Sequence, residues 1–125
     1  MRRMSFWYLA TPYSAYEDGL SAAHERACAN AALLVRAGIP VYAPIAHTHS
    51  IGLAGDIDLR DHGIWMAADK PFMDAAHGLI VCMIDGWWRS YGVAEEIRTF
   101  VEAGKPIVYM QADILPDKLP DVPTI

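Results

Sequence analysis

The sequence predicts one α/β domain with a doubly wound, parallel sheet of about five strands and helices on both faces. Its 125 residues suit a single hydrophobic core. Short apolar runs of strand length alternate with longer stretches of helical periodicity. Two junctions, "RAGIPVYA" (36–43) and "EAGKPIVYM" (102–110), share the order of helix end, glycine, proline and strand. This alternation is typical of βα units, so we expect a single domain over residues 1–125.

The strands are predicted from apolar runs bounded by turn residues. These runs are "FWYLA" (6–10), "IPVYAP" (39–44), "GLIVCMI" (78–84) and "PIVYM" (106–110). The third run is apolar on both faces, which indicates a central strand covered by helices. Residues 45–58 lack periodicity and are predicted to form a loop. The proline-rich tail, about residues 114–125, is expected to be an irregular or edge segment.

Helical periodicity extends over three regions. The first covers about residues 15–37. The second begins at Leu59 and is interrupted by Pro71, so we expect a kink or two consecutive helices, with Asp69 able to cap the second. The third carries an apolar stripe formed by Val93, Ile97, Phe100 and Val101.

Charge and composition exclude several classes of partner. The net charge of −5, with only ten scattered basic residues, argues against a nucleic-acid polymer. The longest apolar run, "GLIVCMI", is far shorter than the roughly 20 residues that cross a bilayer, so we expect no membrane partner and a cytoplasmic location. Cys28 and Cys82 have no CxxC spacing and are expected to be reduced thiols. Neither a GxGxxG motif nor a P-loop occurs, and we expect no cofactor.

Three segments follow the predicted strands, at the sheet edge where ligands of parallel sheets bind. They are "TPYSAY" (11–16), "PIAHTHS" (44–50) and "DGWWRSYG" (85–92), and the last leads into Glu95 and Glu96. On a helical wheel Glu95 lies opposite the apolar stripe. It is in the first turn of the helix, where its negative charge is stabilised by the positive end of the helix dipole. Glu96 faces inward, where a carboxylate loses hydration unless it binds something or caps backbone groups.

These segments also resemble a known family. "WYLATPYS" (7–14), "PIAHTHS" and "DGWWRSYGVAEEI" (85–97) are similar in order and spacing to the nucleoside 2-deoxyribosyltransferase superfamily, which includes nucleotide N-glycoside hydrolases. The likeness is to a branch of small bacterial proteins and covers about residues 6–110. Its most specific element is the pattern formed by Ser90, Gly92, Val93 and Glu96. The resemblance implies a Rossmann-like sheet and a homodimer.

The resemblance also implies roles for individual residues. Glu96 corresponds to the nucleophile that attacks the anomeric carbon of the sugar and releases the base. Tyr8 corresponds to the tyrosine that orients this glutamate. Ser90 corresponds to the serine that binds the substrate phosphate in the nucleotide hydrolases, and Asp69 is the nearest match to an acidic residue that holds the sugar. A carboxylate suits this chemistry because breaking an N-glycosidic bond builds positive charge on the sugar.

Other groups complete the predicted substrate site. The leaving base needs a proton or a hydrogen bond, which Asp69, Asp85 or His47 could supply. Thr11, in the first of the three segments, and Gly92, in the last, are added as substrate contacts. The family often carries an aspartate where this sequence has His77, so the contacts to the sugar or the proton transfer could differ in this protein from those of the family.

Three further interpretations remain beside the enzyme. The histidines and aspartates between residues 47 and 62 have the ligand types for zinc, but without HExxH or cysteine pairs we expect no metal. Trp87 and Trp88 could stack on a base or build a dimer interface. A protein that keeps the pocket without turnover, as a nucleotide-binding or sensing module, is the alternative function.

Overall fold

The computed structural model describes residues 5–118. Four strands and four α-helices lie within them. In chain order they are β1 (Trp7–Ala10), α1 (Leu20–Arg36), β2 (Val41–Tyr42), α2 (Pro44–Gly55), α3 (His62–Ala75), β3 (Gly78–Met83), α4 (Tyr91–Glu102) and β4 (Ile107–Gln111). A short 3-10 turn, Trp87–Arg89, precedes α4. Within this part of the chain, no helix combines the length and the apolar character needed to span a bilayer.

The sheet is parallel throughout, with the strand order β2-β1-β3-β4. This is the order of the flavodoxin-like, doubly wound sheet over its first four strands. The predicted fold class is therefore confirmed, with β1 and β3 at the centre. The described residues form four strands, where the sequence predicted about five.

Alternation along the strands divides the apolar side chains between two cores. The core under α3 and α4 contains Tyr8, Ala10, Met73, Ala76, Leu79, Val81, Val93 and Phe100. The core under α1 contains Trp7, Leu9, Leu34, Ile80, Cys82, Ile84 and Met110. Helices thus cover both faces, which explains why β1 and β3 are apolar on both sides.

The shared junctions end their helices in the same way. Gly38 and Gly104 have left-handed φ angles of 79° and 68°. The N–H of the residue after each glycine bonds back to the helix, from Ile39 to Leu34 and from Lys105 to Phe100. Glycine is favoured at such positions because it has no Cβ to clash. The predicted order of helix end, glycine, proline and strand is confirmed at both places.

Two element boundaries differ from the prediction. α1 begins at Leu20 rather than near residue 15, because Gly19 has φ 96° and ψ 174°, a conformation outside the helical region. β2 contains only Val41 and Tyr42, where a six-residue run was predicted to be a strand.

The prediction of a loop over residues 45–58 was wrong, because most of this segment is α2. Its buried residues, Pro44, Thr48, His49 and Gly52, recur at helical spacing. Gly52 allows the following segment to pack closely, since a Cβ there would lie 2.2 Å from Leu59 Cδ2. The buried face of α2 is made of small and polar residues, so apolar periodicity did not indicate a helix here.

The second helical region is one helix, α3, with Pro71 inside it. Ala67 and Pro71 are both exposed, so solvent can reach the carbonyl that loses its N–H partner at the proline. Asp69 caps no helix. The cap of α3 is Asp61, whose side chain accepts a hydrogen bond from the N–H of Ile64 at 3.2 Å.

The end of the described chain is tied to α1. Asp113 N–H donates to the buried Asn30 side chain at 2.7 Å, and Asp113 pairs with Arg26 at 2.6 Å. Residues 114–118 form no helix or strand, as predicted for the start of the tail. The rest of that prediction, for residues 119–125, lies outside the described residues.

Candidate functional site

The candidate site lies beyond the carboxyl ends of β1 and β3, at the point where the order in which strands are added to the sheet reverses. From β1 the chain first adds β2 on one side, and it later adds β3 and β4 on the other. The segments after β1 and β3 therefore leave the sheet in opposite directions and open a crevice between them, the usual ligand position in such folds. Thr11 follows β1 directly, and the segment after β3 leads to α4.

A pocket of about 520 Å³ occupies this crevice. It is lined by Thr11, Tyr13, Ser14, Ile45, Thr48, Leu59, His62, Trp65, Met66, Asp69, Ser90, Gly92 and Glu96. Segments from β1, α2, α3 and α4 therefore meet at one place, and neither lysine nor arginine belongs to this lining within residues 5–118.

Glu96 lies in the pocket wall on the second turn of α4, with 6% of its surface exposed. Burial raises the pKa of Glu96 to about 8; the nearby Tyr8 hydroxyl opposes this rise, and the charge of Asp69 adds to it. Glu95 is different, because it is half-buried outside the pocket and pairs with Arg98. The predicted difference in orientation between the two glutamates is confirmed.

Asp69 faces the same pocket from α3 and is also 6% exposed. Burial raises the pKa of Asp69 to about 6, and Tyr8 opposes the rise. No cation within residues 5–118 pairs with either carboxyl. Two buried carboxyls beside one another cannot both hold a charge cheaply, so between pH 6 and 8 the pair retains about one proton.

Tyr8 lies beneath these carboxyls, fully buried in β1. Burial and then the charges of Glu96 and Asp69 raise the pKa of Tyr8 far above its ordinary value, so the phenol stays neutral. The hydroxyl is near enough to both carboxyls to affect their pKa values, yet it forms no hydrogen bond of normal geometry with either. It is placed to donate to whichever carboxyl is ionised.

Unpaired polar atoms concentrate around the pocket. Within residues 5–118, five buried side-chain atoms have no hydrogen-bond partner: Trp7 Nε1, Tyr8 OH, Thr11 Oγ1, Tyr42 OH and Asp69 Oδ1. Thr11 and Asp69 line the pocket, and the charge of Asp69 reaches the hydroxyls of Tyr8 and Tyr42. Trp7 lies apart, in the core under α1. Native proteins rarely leave such atoms unpaired, so the other four mark a place where water or a polar ligand can bind.

Ser90 and Gly92 form the rim of the pocket at the start of α4. Ser90 caps the helix, and its Oγ accepts a hydrogen bond from the N–H of Val93 at 3.2 Å. A Cβ on Gly92 would have only Ser90 Oγ, at 3.9 Å, within 4 Å. The fold therefore does not require glycine at this position, and its absent side chain leaves room at the pocket.

The chain matches one known family over residues 5–112, the family described as a domain of unknown function, DUF1937. This chain belongs to the DUF1937 family. No curated protein matches it. The match covers every helix and strand of the DUF1937 domain and all the residues that line its pocket.

Several predicted site residues lie apart from the pocket of the DUF1937 domain. Asp85 is exposed in the turn after β3, and His47 is exposed on α2 with its ring near Tyr42 and Phe72. Neither lines the pocket, so Asp69 is the one of the three predicted proton donors that does.

His77 lies at the opposite edge of the sheet, directly before β3. Its ring packs edge-on against Trp7, with the ring centres 5.1 Å apart, and its N–H donates to the carbonyl of Phe6 at 2.8 Å. His77 is therefore remote from the carboxyl ends of the strands and does not line the pocket.

The two tryptophans, predicted either to stack on a base or to build a dimer interface, do not line the pocket. Trp87 packs against the core under α3 and α4, and Trp88 is exposed. Neither belongs to the pocket lining. In the described range, no three histidine, cysteine, aspartate or glutamate side chains lie together as a metal-binding group. Cys28 and Cys82 are free thiols in α1 and β3.

Several pocket residues were not singled out as substrate contacts from the sequence. Thr48 lies on α2, and a helical prediction for that segment would have placed it beside the pocket. On α3, His62, Trp65, Met66 and Asp69 lie on one face at spacings of three and four residues. All four residues precede Pro71, but the face expected from apolar periodicity was the one with Ile64, Ala67 and Ala68, which are exposed. Tyr13 stands in the short segment after β1, where no periodicity indicates direction.

Proposed function

We propose that this DUF1937 protein hydrolyses or transfers the N-glycosidic bond of a nucleoside or nucleoside 5′-monophosphate, with Glu96 as the nucleophile. The observation that carries the proposal is the buried pair of carboxyls, Glu96 and Asp69, in a pocket that within residues 5–118 has neither lysine nor arginine in its lining. Such a pair is costly unless it acts on a ligand that develops positive charge. A sugar ring that loses its base develops that charge.

The two carboxyls divide the chemistry between them. The bond between C1′ and the base nitrogen breaks, and its electron pair leaves with the base. An ionised Glu96 oxygen forms an ester bond to C1′, while the proton held by the pair passes from Asp69 to the base. Water or a second base then attacks C1′ and releases Glu96 as a carboxylate, returning a proton to Asp69. The reactive form is therefore the minor one-proton form in which Asp69 holds the proton and Glu96 is ionised; in the free protein the higher pKa of Glu96 favours the form with the proton on Glu96.

Tyr8 and Ser90 act on either side of this pair. The Tyr8 hydroxyl can donate to the ionised Glu96 and so orient it toward C1′. At the start of α4, the N–H groups of Tyr91 and Gly92 have no carbonyl partner within the helix. Together with Ser90 they form a site that suits the phosphate of a nucleoside monophosphate.

A second copy of the chain is part of this proposal, as the resemblance implies. Trp88 and Tyr91 are large, exposed aromatic residues beside the rim of the pocket, with 64% and 53% of their surfaces exposed. We expect them at the interface of a homodimer. Sedimentation of the wild type against Trp88→Ser tests this, and a wild type that sediments as a monomer at micromolar concentration would remove the dimer from the proposal.

The activity is tested by incubating the protein with ribo- and deoxyribonucleosides and their 5′-monophosphates, with and without an added base, and separating the bases chromatographically. We expect release or exchange of a base by the wild type. Glu96→Gln should lower the rate by about 10³-fold or more. Glu95→Gln is the matched control, because it makes the same chemical change one residue away and outside the pocket, and it should retain most of the rate.

The alternative, a nucleotide-binding module, predicts another result. It would bind members of the same panel in calorimetry but release no base, even at high protein concentration. That outcome, or a rate that Glu96→Gln leaves unchanged, would refute the proposed activity.

A further inference from the structure

One wall of the pocket is supported by a buried histidine that the proposed mechanism does not use. Tyr13 lines the pocket, and its hydroxyl lies 2.5 Å from Nδ1 of His49. The two rings meet edge to face, with their centres 5.7 Å apart. His49 is 5% exposed and follows Thr48, which also lines the pocket. The Tyr13 hydroxyl is therefore held in place by His49, a buried residue outside the pocket lining.

His49 is part of a chain of polar groups that leads away from the pocket into α1. Its ring stacks on His24, with ring centres 4.3 Å apart, and His24 Nε2 lies 3.4 Å from the thiol of Cys28. Burial and the neighbouring His24 lower the pKa of His49, so its ring is neutral near pH 7. Burial raises the pKa of Tyr13, an effect that Arg60 opposes, and the phenol is neutral as well.

The direction of the hydrogen bond follows from the two neutral groups. An unprotonated imidazole nitrogen is a much stronger acceptor than a phenol oxygen, and the phenol O–H is a good donor. Tyr13 therefore donates to His49 Nδ1, whose ring carries its own proton on Nε2. This uses the only proton of the Tyr13 hydroxyl, so toward any further polar group the oxygen of this pocket-lining residue can act only as an acceptor.

We propose that Tyr13, oriented by His49, is a specificity-determining residue that accepts a hydrogen bond from the ligand. The pocket would then select nucleosides that carry an N–H or O–H donor at this point over analogues that lack it. The inference rests on the nucleoside ligand of the proposed function, but it does not depend on turnover. His49 is a positioning residue, because it acts only through Tyr13.

Pairs of ligands that differ in one donor test the proposal. Suitable pairs are adenosine and purine riboside, guanosine and inosine, and each ribonucleoside with its 2′-deoxy form, measured by calorimetry. We expect the wild type to bind the donor-bearing member of one pair about 5- to 15-fold more tightly. Tyr13→Phe keeps the ring and should remove that preference by weakening the donor-bearing member alone.

Two variants of His49 separate positioning from folding. His49→Asn keeps an acceptor near the place of Nδ1 and should preserve most of the preference. His49→Leu removes the acceptor and should lose it. Where a base is released, Tyr13→Phe should raise KM without a matching fall in kcat, because Glu96 and Asp69 remain. A preference that survives in Tyr13→Phe, or is lost equally in His49→Asn and His49→Leu, would overturn the inference.

Nitrogen-15 NMR of the histidine rings tests the same geometry without a ligand. We expect an unprotonated Nδ1 and a protonated Nε2 on His49, and a protonated Nδ1 would overturn the inference. Ligand preference that depends on Tyr13 without any base release would refute the proposed activity and support this inference. Failure of the wild type to bind any member of the panel would overturn both.

Discussion

The buried carboxyl of Glu96 makes stability depend on pH. Its folded pKa of about 8 lies above the ordinary value of 4.5, so the folded state holds a proton that the unfolded state releases. This stabilisation is complete below pH 4.5 and is lost as pH rises to 8. We expect the free energy of unfolding of the wild type, measured with urea at pH 5, 7 and 9, to fall by on the order of a few kcal/mol from pH 5 to pH 9.

Glu96→Gln should largely abolish this fall, because the amide carries no charge at any of these pH values. The variant should therefore be more stable than the wild type at pH 9 and similar to it at pH 5. Glu95→Gln serves as the control and should follow the wild type. Parallel pH profiles for the wild type and Glu96→Gln would contradict the buried, uncompensated carboxyl.

Asp69 should determine the shape of the rate profile. If the reactive form holds one proton on the pair, kcat/KM of the wild type should be bell-shaped, with limbs near pH 6 and 8. Asp69→Asn removes both the acid and a charge that adds to the rise in the pKa of Glu96, which burial mainly causes. The variant should be about 10²- to 10⁴-fold slower. Its profile should rise once, below pH 8, and then stay level; a bell that persists would exclude Asp69 as the proton donor.

At the scale of single elements, the first turn of α4 separates folding from binding. Gly92 has room for a Cβ within the fold and lines the pocket. Alanine is favoured over glycine in helices by about 0.5–1 kcal/mol, so Gly92→Ala should unfold at the same or a higher urea concentration. It should also bind nucleotides at least about tenfold more weakly, because its methyl group takes space from the ligand. Unchanged affinity would place the ligand away from this turn.

The carboxyl end of α3 depends on one side chain from another element. Lys105 Nζ donates to the carbonyls of Met73, Asp74 and Ala76 at 3.0, 2.6 and 2.7 Å. Lys105→Met would leave these acceptors unpaired, and we expect a loss of about 1–3 kcal/mol in the free energy of unfolding. Lys70→Met is the control, because the Lys70–Asp74 pair is exposed and contributes less than about 1 kcal/mol. Equal losses in the two variants would show that Lys105 does not hold this helix end.

At the scale of the molecule, the sequence predicted the parts of the fold that follow from local rules. β3 was predicted from an apolar run, and the helix ends at Gly38 and Gly104 from a repeated junction. The inward orientation of Glu96 followed from helical periodicity. α2 could not be predicted in this way, because the residues on its buried face, Pro44, Thr48, His49 and Gly52, are small or polar and form no apolar stripe.

Only some of the residues that line the pocket were named from the sequence. Glu96, Ser90, Gly92 and Thr11 were predicted at one edge of the sheet from the order of the elements, and Asp69 was named from the resemblance; these five residues line one pocket. Tyr13 and Thr48 were not singled out, because their positions depend on the short segment after β1 and on α2. The sequence thus predicted the edge of the sheet and the two carboxyls, but not Tyr13 and Thr48 in the rest of the pocket lining.

Hydrogen exchange tests the position of the site over the whole molecule without reference to chemistry. β3 pairs with a strand on each side and is buried on both faces, so its amides should exchange slowest, and those of the edge strand β2 much faster. With each 2′-deoxynucleoside 5′-monophosphate in turn, added protection should concentrate in residues 11–14 and at the start of α4. Gly92→Ala should show the same pattern without ligand and lose the added protection. Protection concentrated instead on α1 or β4 would place the ligand on another face and refute the site between β1 and β3.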